Sequence, residues 1–168
     1  MRAWSAVITV LLASPRLVTG TLAAREARLS DALNNRLESV IRLENAHLGR
    51  YGNQSANTPV SVAVVPKQQI VVAYETGEGE APIRAFSSFV SKERTDLLLL
   101  AAGLRITGTG HGVGRFDAGE LQQVVHGDED HFLPVTNATL ALNVEGVKSV
   151  PLPFLLLNVR HLQFIART

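Results

Sequence analysis

Leu104–Leu140, LRITGTGHGVGRFDAGELQQVVHGDEDHFLPVTNATL, has an echo near the start of the chain: Arg16–Leu48, RLVTGTLAAREARLSDALNNRLESVIRLENAHL. At a shift of 88, Ala13, Thr19, Gly20, Thr21 and Leu33 fall on Ala101, Thr107, Gly108, Thr109 and Leu121. At a shift of 92, Asn45, Ala46, Leu48 and Pro59 fall on Asn137, Ala138, Leu140 and Pro151. Apolar positions follow the same two shifts: Val18 with Ile106, Val40 with Phe132, Ile70 with Leu162. Internal self-similarity of this kind sets the architecture before any local reading. It divides the 168 residues into a first unit over 1–75, a linker over 76–91 and a second unit over 92–168.

Each unit reads as short strands. Ala6–Leu12 is apolar and β-branched, and Ala13-Ser14-Pro15 turns the chain into a second strand from Arg16. Ser30-Asp31 offers N-cap types ahead of a short helix at Ala32–Asn34. In the second unit Asp117 and Glu120 have capping-box spacing before Leu121–Val125. Ser39–Leu48 is a third strand and Gly49–Pro59 reads as a polar hairpin loop. Val60–Val65 and Ile70–Tyr74 complete the unit. So many short strands in about 75 residues imply a bent sheet that closes on itself, because closure removes exposed edges. The expected fold is mainly β: two tandem small β-barrels, each with one short helix.

Composition narrows the function. At 46% apolar and 18% charged residues, the chain has a globular balance. It lacks cysteine, which excludes disulfides and thiolate metal sites. Net charge is +1 but unevenly placed. Residues 1–74 carry eight Lys/Arg against four Asp/Glu, a net +4, and residues 75–168 carry eight against eleven, a net −3. Opposite signs at the two ends favour head-to-tail association. The apolar run Ala3–Ala13 resembles a secretory signal, but its counterpart Leu98–Ala101 lies mid-chain. The run therefore reads as a structural strand, and the expected location is cytoplasmic. It is also too short to span a bilayer, which takes about 20 apolar residues.

The first half of each unit resembles the Sm-like small β-barrel. The residues that carry the likeness are Val10-Leu11-Leu12, Gly20, Leu29-Ser30-Asp31 and Asn34, then Leu98-Leu99-Leu100, Gly108 and Phe116-Asp117. Val159-Arg160-His161-Leu162 is similar to the basic pair near the last strand of bacterial Sm-like RNA chaperones. The resemblance implies a small barrel. Lys67-Gln68 and Arg160-His161 stand where the family has Arg-Gly, so RNA binding does not transfer with it.

Four residue sets are candidates for function. His126, Asp128, Asp130 and His131 have the residue types of a divalent-ion site, but they sit in the longer of two equivalent connections, where a solvated tip is the default. Gly108, Gly110, Gly112 and Gly114 alternate along a strand and lack phosphate-loop spacing, which points to bending or close packing. Lys67, Arg160 and His161 are nucleic-acid candidates in a chain with three lysines and few aromatics. Phe86, Phe89 and Val90 lie outside the repeat and are interface candidates. The sequons at Asn53 and Asn137 read as coincidence, since Asn45, the counterpart of Asn137, has none. No catalytic pair recurs in both units. The sequence therefore points to a non-enzymatic binding or assembly module, without cofactor or metal, engaging a protein partner or itself. Sm-like nucleic-acid binding is the alternative.

Overall fold

The structure, a computed structural model, describes residues 4–24, 28–51, 53–76, 93–112, 118–126, 131–142 and 148–168. Phe86, Phe89, Val90, Asp128 and Asp130 lie outside the described residues, as do residues 77–91 of the expected linker.

The first half runs β1 (Trp4–Leu12), β2 (Arg16–Ala24), α1 (Leu29–Asn34), β3 (Val40–Arg50), β4 (Asn53–Pro66) and β5 (Ile70–Glu75). The second runs β6 (Glu93–Ala101), β7 (Leu104–Gly112), α2 (Ala118–His126), β8 (Phe132–Leu142), β9 (Val150–Asn158) and β10 (Leu162–Arg167). A 3-10 turn, Lys67–Gln69 or Val159–His161, leads into the last strand of each half. The fold is mainly β, as the strand-rich sequence implies. The expected closure into separate barrels does not form. All ten strands join in one open antiparallel sheet ordered β10-β6-β7-β8-β9-β5-β1-β2-β3-β4. The physical reason lies at the centre: β5 covers its second edge with β9 of the other half. Within each half the strands follow the same order, last-first-second-third-fourth.

Two cores form, and each half contributes to the other. Ile8, Val10, Leu33, Leu43 and Ile70 pack in the first, together with Phe132 and Leu156. Leu97, Leu99, Ile106, Val135 and Leu155 pack in the second, together with Leu11, Val71 and Val72. Each large buried side chain contributes about 1.5–3 kcal/mol.

The matched glycines and asparagines have a shared geometric cause. Pairing of β2 with β3 slips between Thr19 and Thr21, and pairing of β7 with β8 slips between Thr107 and Thr109. Gly20 and Gly108 occupy those bulges, facing Asn45 and Asn137, which adopt left-handed backbone with φ 49° and 47°. A Cβ on Gly108 would stand 2.7 Å from Val135 Cγ1 and 2.9 Å from the Thr136 carbonyl oxygen. Such bulges increase strand twist and bend the sheet over its core.

Three sequence expectations change. Val10 pairs with Val18 and Leu99 with Ile106, so Val10 corresponds to Leu99, one residue away from the match given by Ala13 and Ala101. Three residues turn β1 into β2, whereas Ala102 and Gly103, both at positive φ, turn β6 into β7. The loop expected over Gly49–Pro59 is mostly strand, since β4 begins at Asn53. Polar residues and Pro59 are compatible with it because β4 is an edge, where one row of backbone groups needs no ladder partner. Ser30 and Asp31 lie inside α1 rather than capping it: the N-cap is Arg28, without a side-chain cap bond.

Gly108→Ala drives a methyl into backbone and should cost about 1–3 kcal/mol in chemical denaturation. Ala102→Asn relieves a left-handed alanine and should stabilise by roughly 0.5–1 kcal/mol in the same assay.

Candidate functional site

The internal junction shows how one half recognises the other. Val72 pairs with Leu157 and Ala73 with Leu156, four residues with no measurable exposure. Beside this ladder, α1 carries Leu29, Ala32 and Leu33, all buried in the first core. A six-residue helix is too short to be stable alone. It is held by that apolar face and by Lys67, whose ammonium donates to the carbonyls of Ala32 (2.7 Å) and Asn35 (2.8 Å) at its C-terminal end. A cation there also complements the helix dipole. Asn34 then reaches across the junction. Its Oδ1 accepts from the Phe132 backbone N–H at 2.9 Å, and its Nδ2 donates to the Phe132 carbonyl at 3.3 Å.

The two 3-10 turns meet at the same junction. Asn158 Nδ2 donates to the Lys67 carbonyl at 3.3 Å, Arg160 donates to Gln68 Oε1 at 3.4 Å, and His161 Nε2 lies 2.8 Å from the Gln68 carbonyl oxygen. The three nucleic-acid candidates are thus brought together, but as parts of this contact. Lys67 is only 3% exposed and spends its charge on α1, so it presents no ammonium to a phosphate. Arg160 is exposed and His161 half-buried.

Of the metal candidates, His131 is at the entry to β8, and its carbonyl accepts from the Val159 N–H at 2.9 Å. The residue as a whole is exposed, yet local shielding of the ring, and then the nearby Arg36 guanidinium, lower its pKa below the usual histidine value. A guanidinium beside an imidazole opposes a metal cation as it opposes a proton. His126 ends α2. Among the described residues, no three His, Asp or Glu stand close enough to hold a metal ion. No helix among them is long and apolar enough to cross a membrane. Tyr51 and Tyr74 pack against the second core. Burial, and secondarily Tyr74, raises the Tyr51 phenol well above its ordinary pKa, and its hydroxyl donates to the Leu12 carbonyl at 2.8 Å.

The two ends of the sheet differ from its centre. At the β4 end, Val40, Val62 and Val64 are 41%, 42% and 62% exposed. An open groove of about 340 Å³ lies along β4, lined by Leu12, Val18, Leu48, Val60, Val62 and Val64 among others. At the β10 end, Phe164 is 45% exposed, and Val125 of α2 is 43% exposed. The sequence reading passed over these residues. A signal was present in Val60-Ser61-Val62-Ala63-Val64-Val65, which is apolar on both strand faces, the pattern of a strand covered on both sides. No protein-family model, curated protein or solved structure matches this chain.

Lys67→Met leaves the Ala32 and Asn35 carbonyls without this donor and should cost about 1–3 kcal/mol of stability. It should leave retention on a polyanion column unchanged. His131 resists protonation when folded, so the unfolded chain binds more protons as pH falls. Its contribution is intact above the unfolded value of about 6.5 and is lost as pH drops below it. Thermal melts at successive pH values should therefore show wild type losing stability relative to His131→Asn as the pH falls below about 6.5.

Proposed function

We propose that this protein is a non-enzymatic assembly module whose β4 edge docks a partner through strand addition. It consists of two duplicated five-stranded units of Sm-like type, acting as a structural or accessory subunit. The observation that carries the reading is the apolar edge of β4. Val62 and Val64 are exposed and line the groove along β4. Among the described residues, β4 has a strand neighbour on one side only, β3. An exposed edge with apolar side chains beside it is a template for another strand: main-chain hydrogen bonds supply affinity and pockets supply choice. The Sm-like duplication is supported by the shared strand order and by the Gly20/Asn45 and Gly108/Asn137 bulges.

The alternative, nucleic-acid binding in the Sm-like manner, draws on Arg160 and His161. Burial of Lys67 reduces the cation set that would hold a phosphate backbone. A steep loss of polyanion retention with salt would favour that alternative.

In native extract the wild-type chain should migrate as a particle well above 18.1 kDa. Val62→Lys/Val64→Lys places two charges in the docking strip at positions already open to water, so the fold should persist by circular dichroism while the particle falls to 18.1 kDa. A wild-type chain at 18.1 kDa in extract would overturn the assembly reading.

A further inference from the structure

Resting on the assembly reading, we infer that the strand received by β4 is an apolar segment of a second protein, followed on its C-terminal side by aspartate or glutamate side chains. The groove along β4 is apolar where Val18, Leu48 and Val60 line it. Two residues further along β2 and β3, on the face of Val18 and Leu48, stand Arg16 and Arg50, directly opposite each other. Both are exposed, and neither makes an ion pair or a side-chain hydrogen bond among the described residues. Like charges directly opposite in a sheet are destabilising. The fold does not require them, since the matching pair in the second half is Leu104 opposite Leu142. An apolar groove with a few charged groups at one end selects both the chemistry and the orientation of what it binds.

The internal junction shows which kind of strand such an edge accepts and which way it runs. The counterparts of Val64 and Val65 are Leu156 and Leu157, which pair with Ala73 and Val72 of β5. That strand, IVVAYE, is uncharged until its last residue, Glu75. It runs antiparallel to β9, so its C-terminal end points towards the end of β8 that holds Leu142. A strand laid on β4 in the same way points its C-terminal end towards Arg50. On β3, Arg42 is the partner of Val64 and precedes Arg50 by eight residues. Carboxylates several positions beyond the apolar residues therefore arrive at the arginine pair. There a carboxylate accepts charge-assisted hydrogen bonds from both guanidiniums and cancels their repulsion. The chain's own last strand has the wrong sign for this role. At a shift of 92, Glu75 of β5 becomes Arg167 of β10, so a second copy would bring a third arginine towards the pair.

The test uses the purified full-length protein and two fluorescent peptides in anisotropy titrations. One peptide has the sequence of residues 70–80, IVVAYETGEGE, in which a β5-type strand is followed by three glutamates. The other has glutamine at those three places. Both are amidated at the C-terminus, so only side-chain carboxylates are read. Wild type should bind the acidic peptide about tenfold more tightly than the glutamine peptide at low salt, and the difference should shrink as salt is raised. Arg16→Gln/Arg50→Gln should bind both peptides with the affinity that wild type has for the glutamine peptide. Val64→Asp should bind neither, with its circular dichroism spectrum unchanged, because this position is already open to water. Equal binding of the two peptides by wild type, lost in Val64→Asp, overturns the carboxylate inference and leaves strand addition standing. Purified wild type that sediments as multiples of 18.1 kDa and takes up neither peptide also overturns it, a second copy then being the occupant. A single chain that takes up neither peptide overturns it as well, and the particle in native extract then decides the assembly reading. A large particle reduced to 18.1 kDa by Val62→Lys/Val64→Lys means a partner of different chemistry; a wild-type chain already at 18.1 kDa removes both.

Discussion

The ladder between β5 and β9 is the contact on which the rest of the molecule depends. It has only two paired positions, Val72–Leu157 and Ala73–Leu156, yet it joins two five-stranded halves into one sheet. Its strength comes from what it brings along. Phe132 and Leu156 complete the first core, and Leu11, Val71 and Val72 complete the second. A unit of about 75 residues buries a smaller fraction of its surface than a larger domain does, so each half gains from the apolar surface of the other. The polar part of the junction is satisfied too: the Asn34 side chain serves both backbone groups of Phe132, and Asn158 donates to the carbonyl of Lys67. Burying these groups unpaired would be costly, which makes the junction specific as well as adhesive.

Lys67 illustrates how the first half is prepared for this contact. A lone lysine in a strand-rich chain reads naturally as a surface charge. Here the 3-10 turn after β4 aims it under α1, where it satisfies carbonyls at the end of a helix that is too short to be stable alone. With α1 fixed, Leu29 and Leu33 line the first core and Asn34 is positioned for β8. A residue whose type suits nucleic-acid binding is thereby part of the mechanism by which the halves meet. The second half has Val159 at the matching position, buried and apolar, beside a longer helix.

The glycine–asparagine pairs are a second constraint, local and present in both halves. Gly20 and Gly108 admit the close approach of β3 and β8, and Asn45 and Asn137 accept the left-handed backbone of the bulge. Few residue types serve either purpose. These positions therefore stay recognisable across the two halves while the apolar positions around them vary among Val, Leu, Ile and Phe, which fill space interchangeably.

The sequence alone determined the strand-rich character and the positions of both short helices, and its self-match paired the glycines and asparagines that form the two bulges. Each of these follows from local chemistry: apolar and β-branched runs, prolines and glycines at turns, and a self-match anchored by special backbone positions. It placed the polar stretch before Pro59 in a loop, because polarity does not distinguish a turn from an edge strand that faces water on one side. It also implied closure, since small sheets must cover their edges, but periodicity carries no information about which strand covers which edge. Only the tertiary structure decided that β5 pairs with β9, that Lys67 turns inward, and that Val62, Val64 and Phe164 remain outside. Those outcomes depend on contacts between residues far apart in the chain, set by competition among many possible strand pairings, and no window of sequence encodes them.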